Sequence, residues 1–405
     1  MMRISTQMIF ALGTTAMGRQ QSDMLHTQQQ IASGRRVLTP ADDPVAAAQA
    51  LTVTQAKGMV DQYADNVGVA KDALGMNDSI LGQATDVLDS VRTRVVSAGN
   101  AALSDQDRAS LAIDVESSLK HLVGLANSTD GEGNYIFGGY SQSAPPFVQS
   151  AAGVTYNGDQ GQRELQVSAS RQLAIGENGS TVFEQIRTGN GSFVATAGAA
   201  NAGTGVISAG AAGGVAATVG SYQISFTVTG GVTTYDVVNV SDPANPVPVI
   251  SAAPYSDGGS ITFDGLQVKI GGAPADGDVF DVDPSKRQSV FDTLQDLITT
   301  LQQPVDGAAA QASLENGLNV ALQNLDQAQE TVLTARAGVG ARERELDMLS
   351  SSQSDRSLQY QQTLSQLQDL DYYQALSSFA QQQLALQAAQ DSFSKLSKLS
   401  LFDYL

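Results

Sequence analysis

The sequence has no cysteine and no tryptophan, and its two histidines, His26 and His121, stand far apart. Disulfides, thiolate metal sites and cysteine nucleophiles are therefore excluded, and no short segment offers a pair of imidazoles for ligation or proton transfer. Long apolar runs are missing too. No stretch reaches the roughly 20 apolar residues that a membrane-spanning helix needs, so insertion into a bilayer is not expected. Positive charge is scarce: 22 Lys plus Arg face 41 Asp plus Glu, a net charge of -19. Nucleic-acid affinity rests on cationic contacts to phosphate, so nucleic acid is not an expected partner. What remains is a chain of 405 residues, 42% of them hydrophobic, long enough for several domains of about 100–200 residues each.

Helix breakers are distributed unevenly. Residues 131–284 hold 26 of the 39 glycines and 8 of the 11 prolines, so the predicted order is helix, then strand, then helix, an α+β chain. In the N-terminal flank Val53, Val60, Val67, Leu74, Leu81, Leu88 and Val95 recur every seven residues, and Ala56, Tyr63, Ala70, Ala84, Val91 and Ala98 follow at the second seam position. Leu318, Leu325, Val332, Val339 and Leu346 repeat the pattern in the C-terminal flank, with Ala321, Ala328, Ala335 and Leu349 beside them. Each stripe alone would leave an apolar face in water, so the two flanks are predicted to pack on each other as a coiled-coil bundle. Further amphipathic helices are read from Asp105 to Ala126, with Ser104 as N-cap, and from near Pro284, with Asp283 as cap and Val290, Leu294, Leu297 and Leu301 on one face.

The two ends carry separate stripes. Phe10, Met17, Met24 and Ile31 are spaced by seven, as are Tyr372, Phe379, Leu386 and Phe393. Burying such a side chain stabilises by roughly 1.5–3 kcal/mol, whereas ordering each backbone position costs about 1–2 kcal/mol. A lone pair of terminal helices is therefore marginal, and these residues are expected to form an assembly interface completed by neighbouring subunits. The start of the chain superficially offers the charged end, apolar stretch and small residues of a cleavable signal, but Gly13, Thr14 and Thr15 interrupt it and the helical repeat runs straight through. The helical reading is preferred.

Between the flanks the period changes to two. Tyr222, Ile224, Phe226 and Val228 alternate with polar residues before Gly230-Gly231, and Asp264-Gly265 separates two short apolar runs, so antiparallel hairpins are expected. Residues 195–220 read either as a flexible excursion or as weakly specified strands, for lack of anchoring side chains. Asp276, Asp278, Asp281 and Asp283 supply oxygen but lack the spacing of a calcium loop, and are read as turn and cap residues rather than metal ligands. Asp42 and Asp43 before Pro44 are read as a helix start, in which carboxylates meet free N–H groups, rather than as a catalytic pair. No catalytic constellation, cofactor site or metal site is predicted.

Several strings then become informative: RISTQM at 3–8, SGRRVLTPADDPVAAAQAL at 33–51, NYIFGGY at 134–140, YNGDQGQRELQV at 156–167 (read as a strand pair), GGAPADGDVFDVDPSKRQSVFDTLQDL at 271–297 and ALQAAQDSFSKLSKLSLFDYL at 385–405. Together they resemble the bacterial flagellin superfamily and, within it, the hook-associated proteins of the hook-filament junction, the FlgL type. The loop with Gly34, Asp42, Asp43 and Pro44 is shared in broad form with flagellins and alone marks the superfamily, whereas Pro44 directly after Asp42-Asp43, the strand pair at 156–167, the P-A-x-G-D-x-F string at 274–280 and the terminal LFDYL point to the junction type. Residues 190–260 match no recognisable string, and Met1-Met2 departs from the usual single Met before Arg, which leaves the native start open.

The resemblance implies a terminal-helix inner domain (1–33 and 365–405), a helical-bundle domain with a β-hairpin (34–185 and 285–364) and an outer β-rich domain (186–284). It implies a structural role without catalysis. A ring of subunits would join the hook, through another junction protein, to flagellin, after export by the flagellar secretion apparatus with an export chaperone and without a cleavable signal peptide. The competing readings are a flagellin-type filament subunit and a secreted coiled-coil adhesin or effector.

Overall fold

The computed structural model describes residues 6–151, 153–213 and 220–398. Met1-Met2, the first three residues of the RISTQM string and the terminal LFDYL lie outside them. Among the described residues six α-helices, α1 (Thr6–Ser33), α2 (Pro44–Ala98), α3 (Asp105–Ala126), α4 (Val290–Gln302), α5 (Ala308–Gln368) and α6 (Tyr372–Lys398), bracket a β-rich centre. The chain is thus α+β, with long terminal helices and a central β insertion. The described residues divide into two compact units, one of residues 6–65 and 348–398, the other of those between 66 and 347.

In the first unit α1 and α6 pack together. Phe10 meets Phe393 edge to face at 5.6 Å, and the missing side chain of Gly13 makes the room: a Cβ there would lie 3.0 Å from the Phe393 ring. Helix α1 stops because Gly34 takes φ +71°, a conformation that only glycine adopts at little strain. Helix α6 starts on Asp371, whose carboxylate accepts from the amides of Tyr373 at 3.0 Å and Gln374 at 3.2 Å.

In the second unit α2 and α5 run antiparallel, tied by Lys71–Asp347 at 2.7 Å, Arg336–Asp78 at 2.7 Å and Arg92–Asp326 at 2.8 Å. Between these polar edges Val67, Leu74, Leu81, Leu88 and Val95 are buried, as are Leu318, Leu325, Val332, Val339 and Leu346. Ala70, Ala84 and Ala328 are fully enclosed, and their small side chains let the helices approach closely. One layer breaks the pattern. Asn77 occupies the seam position between Ala70 and Ala84 and is buried, and Arg342 holds the equivalent position between Ala335 and Leu349.

Helix α3 begins where its sequence says. Ser104 and Asp107 form a reciprocal capping box. Helix α4 begins later than the Asp283-Pro284 pattern suggests: Ser289 is its N-cap, accepting from the Asp292 amide at 2.9 Å. Pro284 instead ends the strand Val279–Pro284, and Asp283 accepts from the Ser221 hydroxyl at 2.7 Å. Cross-strand pairing on both sides of that segment outweighs the local helix-start signal. Helices α3 and α4 pack on each other above an aromatic cluster in which Phe147 lies 5.2 Å from Phe291, 5.6 Å from Phe183 and 5.0 Å from Tyr156.

The largest sheet is antiparallel, in the spatial order Val247–Pro254, Val232–Asn239, Tyr222–Thr229, Val279–Pro284 and Phe193–Ala197. Both expected hairpins form, with positive φ at Gly230 and Gly231 and at Asp264 and Gly265, the conformation that two-residue turns between twisted strands require. Residues 195–213 are better anchored than their composition suggests. Ala195 and Ile207 are buried, and the Asn316 side chain on α5 accepts from the Ile207 amide at 2.8 Å and donates to the Gly205 carbonyl at 2.9 Å. The rest of the 195–220 reading, residues 214–219, falls outside the described residues. YNGDQGQRELQV is not one strand pair. Gly153–Tyr156 pairs back with Phe147–Ser150, Glu164–Ser168 pairs forward with Arg171–Ala174, and residues 157–163 are the loop between. Asp159 shapes that loop, its carboxylate accepting from the Tyr140 amide at 3.0 Å and the Gly161 amide at 2.7 Å.

Candidate assembly surface and the loop before helix α2

The loop from Gly34 to Asp43 is a dense hydrogen-bonded knot. The Gly34 carbonyl accepts from the Leu370 amide at 3.0 Å, and the Arg36 amide donates to the Gln368 carbonyl at 2.7 Å. The Arg36 guanidinium reaches the Leu367 carbonyl at 2.9 Å and Asp43 at 3.1 Å. The loop after α1 is thereby fastened to the turn between α5 and α6. The two aspartates have different tasks. Asp43 caps α2, accepting from the Ala46 amide at 2.9 Å while Pro44 fills the first helical position. Asp42 turns back to accept from the amides of Leu38 at 2.9 Å and Thr39 at 2.7 Å, and His26 on α1 lies 3.0 Å from its other oxygen. The His26 contact has no sequence signal, because it joins residues sixteen apart across a turn.

These contacts set the acid response. The Thr39 amide, helped by Leu38 and His26 and opposed by partial desolvation, holds the Asp42 carboxyl below its ordinary value. The Ala46 amide, followed by Arg36, does the same for Asp43. Both folded-state values lie below the unfolded ones, so the unfolded chain binds protons more readily and the stabilisation is complete above the ordinary carboxylate value of 3.8. It is lost as pH falls through the depressed folded values. Amide protection across residues 34–46, taken relative to the unstructured-chain exchange rate at the same pH, is therefore expected to be flat from neutral pH down to about 5 and to fall below about 4. An Asp42→Asn variant should already be fast at neutral pH; equal protection in variant and wild type would contradict the assignment.

The seven-spaced residues at the ends occupy mixed positions. Phe10, Met17, Met24 and Ile31 are half-buried, as are Phe379, Leu386 and Phe393, whereas Tyr372 is exposed with its hydroxyl beside Gly34. Other apolar side chains left open on α1 and α6 lie off that spacing: Met8, Leu12, Leu25, Leu376, Leu384 at 73% exposure and Tyr373 at 92%. In the bundle seam Val60 is buried and Val53 half-buried.

The acidic run at 276–283 is spent on the protein's own donors, with Asp281 accepting from the Gln223 side chain and Asp283 from the Ser221 hydroxyl. Asp278, almost fully buried, accepts from the amides of Ala202 at 2.7 Å and Ala275 at 2.8 Å, and Asp276 accepts from the Val228 amide at 2.9 Å. Sequence reasoning missed one polar cluster. Arg342 donates to the carbonyls of Ala174 at 3.0 Å and Gly338 at 3.2 Å and pairs with Glu177. Burial pushes the Glu177 carboxyl up and Arg342 pulls it back. The signal was present as a break in both heptad stripes at the same level.

Comparison with known proteins agrees with this architecture. Residues 4–142 match the bacterial flagellin N-terminal helical region, and residues 196–284 match the D2-like domain of flagellar hook-associated protein 1. The central segment, which offers no recognisable string to the eye, therefore has known kin. Flagellar hook-associated protein 3 of Salmonella typhimurium is 30% identical over 409 residues, covering 99% of both chains. The crystal structure of the flagellar junction protein FlgL from Legionella pneumophila superposes with a TM-score of 0.72 at 30% identity, covering 79% of this chain and all of that one. Flagellin of Listeria monocytogenes matches over 32% of this chain at 25% identity. The chain belongs to the flagellar hook-associated protein 3 family of the flagellin superfamily.

Proposed function

We propose that this chain is a structural adapter of the bacterial flagellum, located outside the cell, that joins the hook to the filament. The observation that carries this reading is the reach of the likeness: a hook-associated protein 3 matches end to end, whereas a flagellin matches over a third of the chain. The subunits form a ring that contacts another junction protein on one side and flagellin on the other. They travel through the flagellar secretion apparatus, with a chaperone holding them beforehand. No catalysis is involved.

Residues 1–33 and 365–405 form the inner layer of the ring, 34–185 with 285–364 the bundle around it, and 186–284 the outer domain. The Phe10-to-Ile31 and Tyr372-to-Phe393 stripes line the assembly interface, and the open side chains Leu12, Leu25, Leu376, Leu384 and Tyr373 extend it. Large apolar side chains left open on two packed helices are candidates for cover by a partner. Purified chain is expected to remain short of long filaments under conditions in which flagellin polymerises. Leu384→Glu, which introduces a charge at an exposed site, should leave the isolated fold intact and block incorporation into flagella. Long filaments from this chain alone would make it a filament subunit, and normal incorporation of the variant would remove α6 from the interface.

A further inference from the structure

We infer that Asn157 is a site of spontaneous deamidation in the folded protein. The sequence contains four Asn-Gly pairs, at 157–158, 178–179, 190–191 and 316–317. Asn-Gly is the dipeptide in which a main-chain nitrogen most readily reaches the preceding side-chain amide, because glycine brings no Cβ to obstruct the approach. The reaction needs an electrophile free to rotate and a nucleophilic N–H free of other bonds.

Three of the pairs lack both freedoms. Asn178 is buried, its amide oxygen accepting from the Ser180 amide at 2.9 Å, its nitrogen donating to the Asp159 carbonyl at 2.7 Å, and the Gly179 amide donates to the Phe137 carbonyl at 3.1 Å. The Asn190 oxygen accepts from the amides of Ser192 and Phe193, each at 3.0 Å, and the Gly191 amide donates to the Thr188 carbonyl at 3.3 Å. Asn316 is buried within α5, where it grips Gly205 and Ile207, and Gly317 lies inside the helix. Asn157 differs on every count. Its side chain is exposed and makes no hydrogen bond among the described residues, and the Gly158 amide donates none there either. The pair sits just past the strand Gly153–Tyr156, where the main chain bends at Gly158.

In the reaction the Gly158 nitrogen loses its proton to water and bonds to Cγ of Asn157, and the side-chain nitrogen leaves as ammonia. Water then opens the resulting ring at either carbonyl, giving aspartate or isoaspartate. No oxidant or other reagent is required. The product adds a negative charge two residues from Asp159 and, in the isoaspartate form, one extra methylene in the main chain. Asp159 is the carboxylate that holds the Tyr140 and Gly161 amides, so the change loosens the loop on which NYIFGGY rests.

The test uses the full-length chain, incubated folded at mildly alkaline pH and followed by peptide mapping for the amide-to-acid mass gain and by labelling with an isoaspartate-specific methyltransferase. Each hydrogen bond that must first break slows the pinned sites, so Asn157 is expected to react about tenfold ahead of Asn178, Asn190 and Asn316. In denaturant, where the pinning is gone, the four rates should converge. Asn157→Ser should abolish the leading signal and leave the other three rates unchanged, which also shows that the variant is folded. An intact Asn157, another site in the lead, or a lead of Asn157 that persists undiminished in denaturant would overturn the inference.

Discussion

Phe147→Ala is expected to lower the stability of the 66–347 unit by about 4 kcal/mol, the usual range for removing a fully enclosed phenylalanine. Phe147 is where three parts of that unit converge. Its ring touches Phe183 and Phe291, and the Asn127 side chain at the end of α3 grips its main chain from both sides, donating to the carbonyl at 2.7 Å and accepting from the amide at 2.9 Å. Truncation therefore empties the space shared by α3, α4 and the segment at 180–184 without breaking the Asn127 clasp. The cavity can collapse little, because Gly179 already lies against the ring: a Cβ there would be 3.0 Å from it. Urea unfolding read by near-ultraviolet circular dichroism measures the effect. A loss below about 1.5 kcal/mol would mean that the cluster repacks and that Phe147 is not its centre.

Arg342→Ala is expected to cost about 3 kcal/mol, for a different reason. The guanidinium offsets the Glu177 charge in a half-enclosed site and satisfies the carbonyls of Ala174 and Gly338, so its removal strands a carboxylate and main-chain acceptors together. Glu177→Ala alone should cost less, because Arg342 retains its carbonyl partners. The double variant should be more stable than the sum of the two single losses implies, by about 1–2 kcal/mol. Strict additivity would show that the pair is not coupled. The Asn77 side chain at the same level donates to the Ala73 carbonyl at 2.9 Å. A polar layer in an otherwise apolar seam penalises shifted registers, since sliding by one heptad would bury Asn77 and Arg342 against leucine or valine.

The helices were legible because their signals are local and periodic. Seven-residue repeats place Val67 to Val95 opposite Leu318 to Leu346, and Ser104 marks a helix start through side-chain capping. The two hairpins were legible for the same reason, since Gly230-Gly231 and Asp264-Gly265 carry their turn geometry in two residues. Asp283-Pro284 misled because a short local signal competed with strand partners fifty to ninety residues away, which no window of sequence displays. The 195–213 segment misled because its anchors, Asn316 and Asp278, come from elsewhere in the chain. The Gly34–Asp43 loop was readable at Asp43 and Pro44, whose role is local, and unreadable at His26 and Arg36, whose partners are reached only after the chain folds back. Among the terminal helices, seven-residue spacing found the half-buried stripe but not the open Leu384 and Tyr373, which lie off that spacing.

The adapter role is tested most directly by electron microscopy of cells that lack this chain, combined with a blot of the culture medium for flagellin. Bare hooks, with flagellin lost to the medium and filaments restored by the wild-type chain, are the expected result. Intact hooks carrying normal filaments would contradict it.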